Sequence, residues 1–246
     1  FKAEPNEFHH AAFLNGINNL VVDHVSCAWG ADEVVSLCRT PNVTVQWCAI
    51  EEGAIKEGKK YSGVHNFALF SAYLDKARIS VHHNLIAHNS RRNPTVSAGP
   101  ADIRNNVVYN YRHGFTHEGS QRGEFNYVGN WFKTGANSRG ILEGVSWGKA
   151  PATWAWFDAA ARYFLEDNLV DGQPAPIPET VGKARTPFPR LREPLAAPPV
   201  TTHSASEAYD LVLVRAGAFP RDAVTRRTIE EVRTGTGEWG RREPEG

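Results

Sequence analysis

"HHNLIAHNSRRNPTVSAGPADIRNNVVYNY" spans residues 82–111, and its reading decides the fold. Asn84 and Asn106 each precede an aliphatic pair, Leu85-Ile86 and Val107-Val108. Asn130 before Trp131-Phe132 and Asn168 before Leu169-Val170 extend the series, and Cys48 and Val25 fall in the same place upstream. An apolar residue sits three positions before each: Val22, Val45, Val81, Ile103, Tyr127 and Leu165. The surrounding runs, such as "NLVVDH", "NVTVQW" and "RISVHH", alternate with period two and read as short strands.

A repeat of about two dozen residues made of short strands and polar turns suits a parallel β-solenoid. Equivalent side chains then stack above one another. A buried asparagine in such a column can satisfy its amide on its neighbours, so the asparagines read as a ladder and not as catalytic groups. Two long steps carry insertions, Glu51 to Lys76 and Thr134 to Ala161, and long loops on a regular scaffold are where function concentrates.

We expect the β-helix to occupy residues 1–172 and a tail, residues 173–246, to pack back on it. The tail opens with a proline-rich stretch. "SASEAYDLVLVRAG" then reads as a helix with a serine cap and Gly217 beyond its end. "RDAVTRRTIEEVRTGTG" reads as a second helix, capped by Asp222 and stopped at Gly235.

Lys+Arg and Asp+Glu are both 27, so the formal net charge is zero, which disfavours nucleic acid and acidic membranes as bulk partners. No apolar run reaches the length of a membrane span. The three cysteines, Cys27, Cys38 and Cys48, are too few for a disulfide framework and wrongly spaced for zinc, so they read as buried thiols. The chain starts at Phe1 and contains no methionine, which we read as a processed or truncated product.

"VHHNLIAHNSRRNP" followed by "IRNNVVYNY" resembles the pectate lyases of polysaccharide lyase family one, whose pattern is a His-His-Asn strand, an Arg-x-Pro-Arg loop and an Asn-Asn strand. "NNLVVDHVSCAWGADEVVSL" resembles that family's Asp-His segment, and the tail resembles one bacterial branch of it. The resemblance implies an all-β, right-handed parallel β-helix with its first coils upstream of Phe1. It implies a secreted or periplasmic monomer that cleaves a polyuronate by β-elimination, with an arginine base and calcium.

Carried over residue by residue, the base falls on Arg92. The family's next two arginines fall on Thr95 and Ser97, leaving Arg91 as the nearby replacement. The calcium carboxylates fall on Asp32, Ser36 and His10; Glu33, beside Asp32, is a substitute. Lys59 and Lys60 in the first insertion, with Lys56 near them, are candidates for substrate binding, and so is His83. His82 and His83 alternate along a strand, one expected inward and the other toward solvent. His24, at the place His83 occupies, favours a stacked structural role. Tyr109, Tyr111 and Trp131 fit either a sugar platform or packing. An acidic polysaccharide is the expected partner, with no nucleic acid and no membrane. The departures from the family pattern keep two alternatives open: a β-helix that binds polysaccharide without cleaving it, and a metal-independent enzyme resembling pectin lyases.

Overall fold

The structure is a computed structural model that describes residues 10–55, 66–74, 76–117, 123–138, 154–155, 159–177, 179–181 and 185–240. The strands up to Val170 wind through six coils and stack into three parallel sheets, and short antiparallel pairings follow at Gln173–Pro174 and between Thr180–Val181 and Thr186–Pro187. Sheet 1 stacks β1 (Ala12–Asn15), β4 (Glu33–Cys38), β7 (Phe67–Ala72), β10 (Thr95–Val96), β13 (Phe115–Thr116) and β16 (Trp154–Ala155). Sheet 2 stacks β2 (Leu20–Asp23), β5 (Val43–Gln46), β8 (Ile79–His82), β11 (Ala101–Arg104), β14 (Glu124–Val128) and β17 (Arg162–Glu166). Sheet 3 stacks β3 (Ser26–Ala28), β6 (Ala49–Glu51), β9 (Leu85–Ala87), β12 (Val107–Tyr109), β15 (Trp131–Lys133) and β18 (Leu169–Val170). This is the right-handed parallel β-helix that the repeat and the resemblance called for. The register agrees with the repeat: Ser26, Ala49, Leu85, Val107, Trp131 and Leu169 are Cα partners on successive coils, each one residue after a repeat position.

The asparagine ladder is continuous. Asn84 Nδ2 donates to Asn106 Oδ1 at 2.9 Å, Asn106 to Asn130 at 3.1 Å, and Asn130 to Asn168 at 2.9 Å. The second amide hydrogen of each goes back into the previous coil, to the carbonyls of Val45, Val81, Ile103 and Tyr127. Those are the apolar residues three positions ahead of the preceding repeat site. At the ladder's upper end Cys48 N–H donates to Asn84 Oδ1 at 2.9 Å. The corner is sharp because the residue ahead of most repeat positions is left-handed: His24, Trp47, His83, Asn105, Gly129 and Asp167 have φ of 50°, 52°, 57°, 54°, 62° and 48°. His24, Trp47 and His83 stack there ring on ring, with centroids 6.1 and 4.3 Å apart.

The core inside the coils is aliphatic in the early turns and aromatic later, where Phe115, Phe125, Tyr127 and Tyr163 stack. All three cysteines are free and buried, as expected. The two tail helices form where the caps predict: α1 (Ala205–Arg215) with a Ser204–Glu207 capping box, and α2 (Ala223–Thr234) with Asp222 as N-cap and Gly235 left-handed at its end. Both lie on the outer face of sheet 3, over a second apolar cluster that includes Leu85, Tyr109, Val212 and Val232. Among the described residues no helix is long and apolar enough to cross a membrane.

Candidate active site

The site forms at the corner where sheet 3 turns into sheet 1. Glu33, Phe67 and Arg91 occupy one column on successive coils. Parallel strands repeat about every 4.8 Å, so Glu33 and Arg91 stand roughly 10 Å apart along the solenoid. Arg92, next in sequence, is left-handed with φ 59°. Its side chain runs back down the column to form an ion pair with the Glu33 carboxylate. On the way the guanidinium lies over two rings, 4.6 Å from the Phe67 centroid and 4.2 Å from that of Phe70, a cation–π shelf that fixes its direction.

Glu33 is buried and its other oxygen, Oε2, is 3.0 Å from His10 Nδ1. His10, Asp32 and Glu33 bring three ligand atoms within 4.8 Å of one another. Burial lowers the pKa of His10 against an opposing pull from Asp32, and Arg92 lowers it further. Behind the loop His113 is pushed down to about 4, first by burial and then by Arg91 and Arg112. It is therefore neutral near pH 7 and adds no positive charge beside Arg92.

The donor set does not fit a self-contained calcium site. Calcium takes six to eight oxygens. This corner offers one imidazole nitrogen and two carboxylates, and Glu33 is already shared by Arg92 and His10. Ser36, at another family carboxylate position, is buried and lies 3.3 Å from the Cys38 sulfur. Thr95 and Ser97 are buried too, and the Thr95 hydroxyl is hydrogen-bonded to that of Thr116. Arg91 is held through its backbone to Phe67, with its guanidinium 5.9 Å from that ring.

The other candidates separate from this corner. Lys56, Lys59 and Lys60 lie outside the described residues. His83 belongs to a different corner, between sheets 2 and 3, where it is buried against Trp47 and covered by the tail. Its Nε2 is 3.0 Å from His203 Nδ1 and its Nδ1 is 3.0 Å from His82 Nδ1. Both histidines are buried: His82 ends β8, His83 follows it at the left-handed corner, and His203 of the tail lies against His83 in place of solvent. Tyr109 packs under the tail helices, Tyr111 sits in the core, and Trp131 lies against Tyr209, so these rings are packing and not a sugar platform.

The aromatic groups at the site are instead Phe67 and Phe70, with half-exposed Phe13 and Tyr73 further out. The sequence reading missed them. The available signal was "FALFSA", whose outward-facing Phe70 shares a sheet row with Phe13 and Ser36.

No protein-family model matches the chain. In sequence it is 33% identical over 125 residues to a probable pectate lyase C of Aspergillus terreus, a match covering 49% of this chain and 27% of that relative. A probable pectate lyase C of Emericella nidulans matches at 33% over 123 residues, covering 49% of this chain and 26% of the relative. These matches span about a quarter of the relatives' length. Among solved structures, a pectate lyase of Bacillus sp. N165 in complex with trigalacturonate superposes with a TM-score of 0.57 at 13% identity, over 88% of this chain and 65% of that one. Pectate lyase II of Xanthomonas campestris pv. campestris gives 0.52 at 14% identity, over 84% and 72%. At such identities the structural likeness speaks for the fold.

Proposed function

For a chain that is pectate-lyase-like in sequence and in fold, we propose polysaccharide lyase activity on a polyuronate, with pectate as the first substrate to test and Arg92 as the base. The observation that carries the proposal is the convergence of Arg92 with Asp32, Glu33 and His10 at one corner of the β-helix.

The chemistry is a β-elimination. The base takes the proton from the carbon next to the uronate carboxylate, the freed pair forms the carbon–carbon double bond, and the bond to the glycosidic oxygen breaks. That oxygen leaves with a proton returned by water or by the protonated base. Arg92 meets two needs of this reaction in part. Its guanidinium forks toward a carboxylate, and the Phe67–Phe70 shelf holds it in one direction. Against that, an adjacent carboxylate favours the protonated guanidinium. Base catalysis therefore requires Glu33 to turn its charge elsewhere, and His10 already faces the other oxygen. We infer an alkaline activity profile on this ground.

The metal enters as a proposal of the same kind. Asp32 and Glu33 would hold a hard cation only with oxygens added by substrate and water, and a cation held there would supply charge neutralisation at the uronate carboxylate.

The second reading, a metal-independent enzyme or a non-cleaving binder, draws on the same pair. Both oxygens of Glu33 are faced by side chains of this chain, Arg92 and His10. Incubation with polygalacturonate, with methyl-esterified pectin and with other uronate polymers, followed by absorbance of the unsaturated product, tests the proposal. No product from any polymer at alkaline pH with calcium present overturns lyase activity. Product from pectin alone, insensitive to chelator, moves the assignment to the second reading.

A further inference from the structure

Sheet 2 carries an unusual outward row. Register places Val21, Thr44, Ser80, Asp102, Asn126 and Phe164 side by side on successive coils. Its middle is polar, and the tail crosses directly over it.

Two asparagines clamp that crossing in the same way. Asn126 Oδ1 accepts from Leu195 N–H at 3.0 Å while its Nδ2 donates to the Leu195 carbonyl at 3.1 Å. Asn105 Oδ1 accepts from His203 N–H at 3.0 Å while its Nδ2 donates to the His203 carbonyl at 2.7 Å. Each amide imitates a strand partner. Between the clamps runs "LAAPPVTTH", where the alanines have no polar side chain and Pro198 and Pro199 no N–H. The middle of the strap therefore offers the row beneath it no polar side chain and few N–H groups.

Beneath it lies a cavity of about 230 Å3. Thr44, Ser80 and Asp102 form the floor, Leu195 and Pro198 part of the roof, and Arg78 the rim. Ser80 is 7% exposed and its hydroxyl has no hydrogen-bond partner. An orphaned buried hydroxyl is a cost that a native structure usually explains, and a ligand hydroxyl would explain it. Arg78 is held in place by a 2.7 Å bond from Nε to Asn42 Oδ1, and Asn42 is braced by Asn18 and Asn19. Asp102 is buried, bonded by Arg104 and by Asn126, so its charge is compensated within the protein and does not repel an anion.

We propose that this cavity binds a single sugar acid. A ligand that fits must be small, because the volume is below the ~300 Å3 where drug-sized pockets begin. It needs a carboxylate for the guanidinium of Arg78, hydroxyls for Thr44 and Ser80, and a C–H face for Leu195 and Pro198. A monomeric uronic acid has all three. The volume holds one sugar ring and not a polymer. The site lies on sheet 2, apart from the Arg92 corner, and its occupancy does not depend on catalysis there.

Titration calorimetry on the full chain tests this, with galacturonic acid, galactose and acetate as probes. Galacturonic acid should bind saturably in the millimolar range, galactose at least five-fold more weakly, and acetate weaker still. Arg78→Ala should erase the preference for the acid over galactose. Ser80→Val should weaken galacturonic acid at least ten-fold, and Thr44→Val, at a partly exposed position, gives a second reading of the floor if the Ser80 variant does not fold. Arg92→Ala should leave the affinity unchanged. The proposal falls if wild type shows no saturable binding, if binding survives both Arg78→Ala and a floor variant unchanged, or if Arg92→Ala abolishes it. Polyuronate turnover is a separate readout, and Arg78→Ala should leave it unaltered.

Discussion

Arg92 and Glu33, two coils apart, form an ion pair across the ring of Phe67, with Glu33 buried and its second oxygen facing His10. Removing one partner of a buried pair leaves an uncompensated charge, a loss of about 3–5 kcal/mol. Arg92→Ala should therefore lower stability as well as turnover, the latter by at least a hundredfold if the arginine is the base. Adding Glu33→Gln to Arg92→Ala should restore most of the stability and none of the turnover. Urea denaturation and product absorbance on the two variants separate the roles; recovery of activity in the double variant would remove Arg92 from catalysis.

Calcium should bind the free protein weakly, at about 0.1–1 mM or above, because His10, Asp32 and Glu33 supply few oxygens and Glu33 is already engaged. An oligouronate should tighten calcium, and calcium the oligouronate, by the same factor. Asp32→Ala should lose this coupling. Calorimetry with and without the oligosaccharide measures it, and equal calcium affinity in both titrations would place the metal elsewhere.

Asn106 sits in the middle of the ladder, accepting from the backbone and amide of Asn84 and donating to Val81 and Asn130. Asn106→Ala leaves the Asn84 N–H and the Val81 carbonyl buried without those partners. At about 1–3 kcal/mol for each orphaned group, we expect a loss of roughly 2–6 kcal/mol in chemical denaturation. Asn168→Ala should cost a similar amount, because it orphans the Asn130 N–H and the Tyr127 carbonyl in the same way.

Glu51 anchors α2 through the Thr225 hydroxyl, 2.5 Å away, and burial raises its pKa to about 7. The folded state then binds the proton more tightly than the unfolded state. Its contribution is fully present below about pH 4.5 and is lost as pH rises through about 7. Glu51→Gln should flatten that fall and stabilise the protein at pH 8 by something on the order of 3 kcal/mol. Thermal melts at pH 5 and pH 8 check the sign: a variant no more stable than wild type at pH 8 contradicts it.

His83 has the opposite dependence. Burial, then the neighbouring His82 and His203, push it down to about 3, so folding excludes a proton that the unfolded chain takes up. Stability from this site is present above about pH 6.5 and is lost as pH falls toward 3. Protection of the backbone amides around His203, meaning exchange corrected for its intrinsic pH dependence, should fall through that window. His83→Asn should blunt the effect, since asparagine tolerates the left-handed corner, as Asn105 does one coil later. Protection that stays constant from pH 7 to 4 in wild type would exclude this role.

The repeat of aliphatic pairs and asparagines determined the solenoid, because in-register stacking requires like residues at like places. The column from Ser26 to Leu169 could be numbered before any coordinates. The helix caps were equally legible, since Ser204, Asp222 and Gly235 act on backbone groups within a turn of themselves. Arg92 and Glu33 could be marked as candidates, but not as partners. Their pairing depends on how far a side chain reaches across two coils and on Phe67 and Phe70 lying beneath it. The burial of His83 was not legible for a related reason: period-two alternation assigns faces of a strand, and only the tertiary structure shows that the tail lies against this corner. The cavity under residues 195–203 likewise appears only in the tertiary structure, where two asparagines from separate coils pin a strap poor in polar side chains over the sheet.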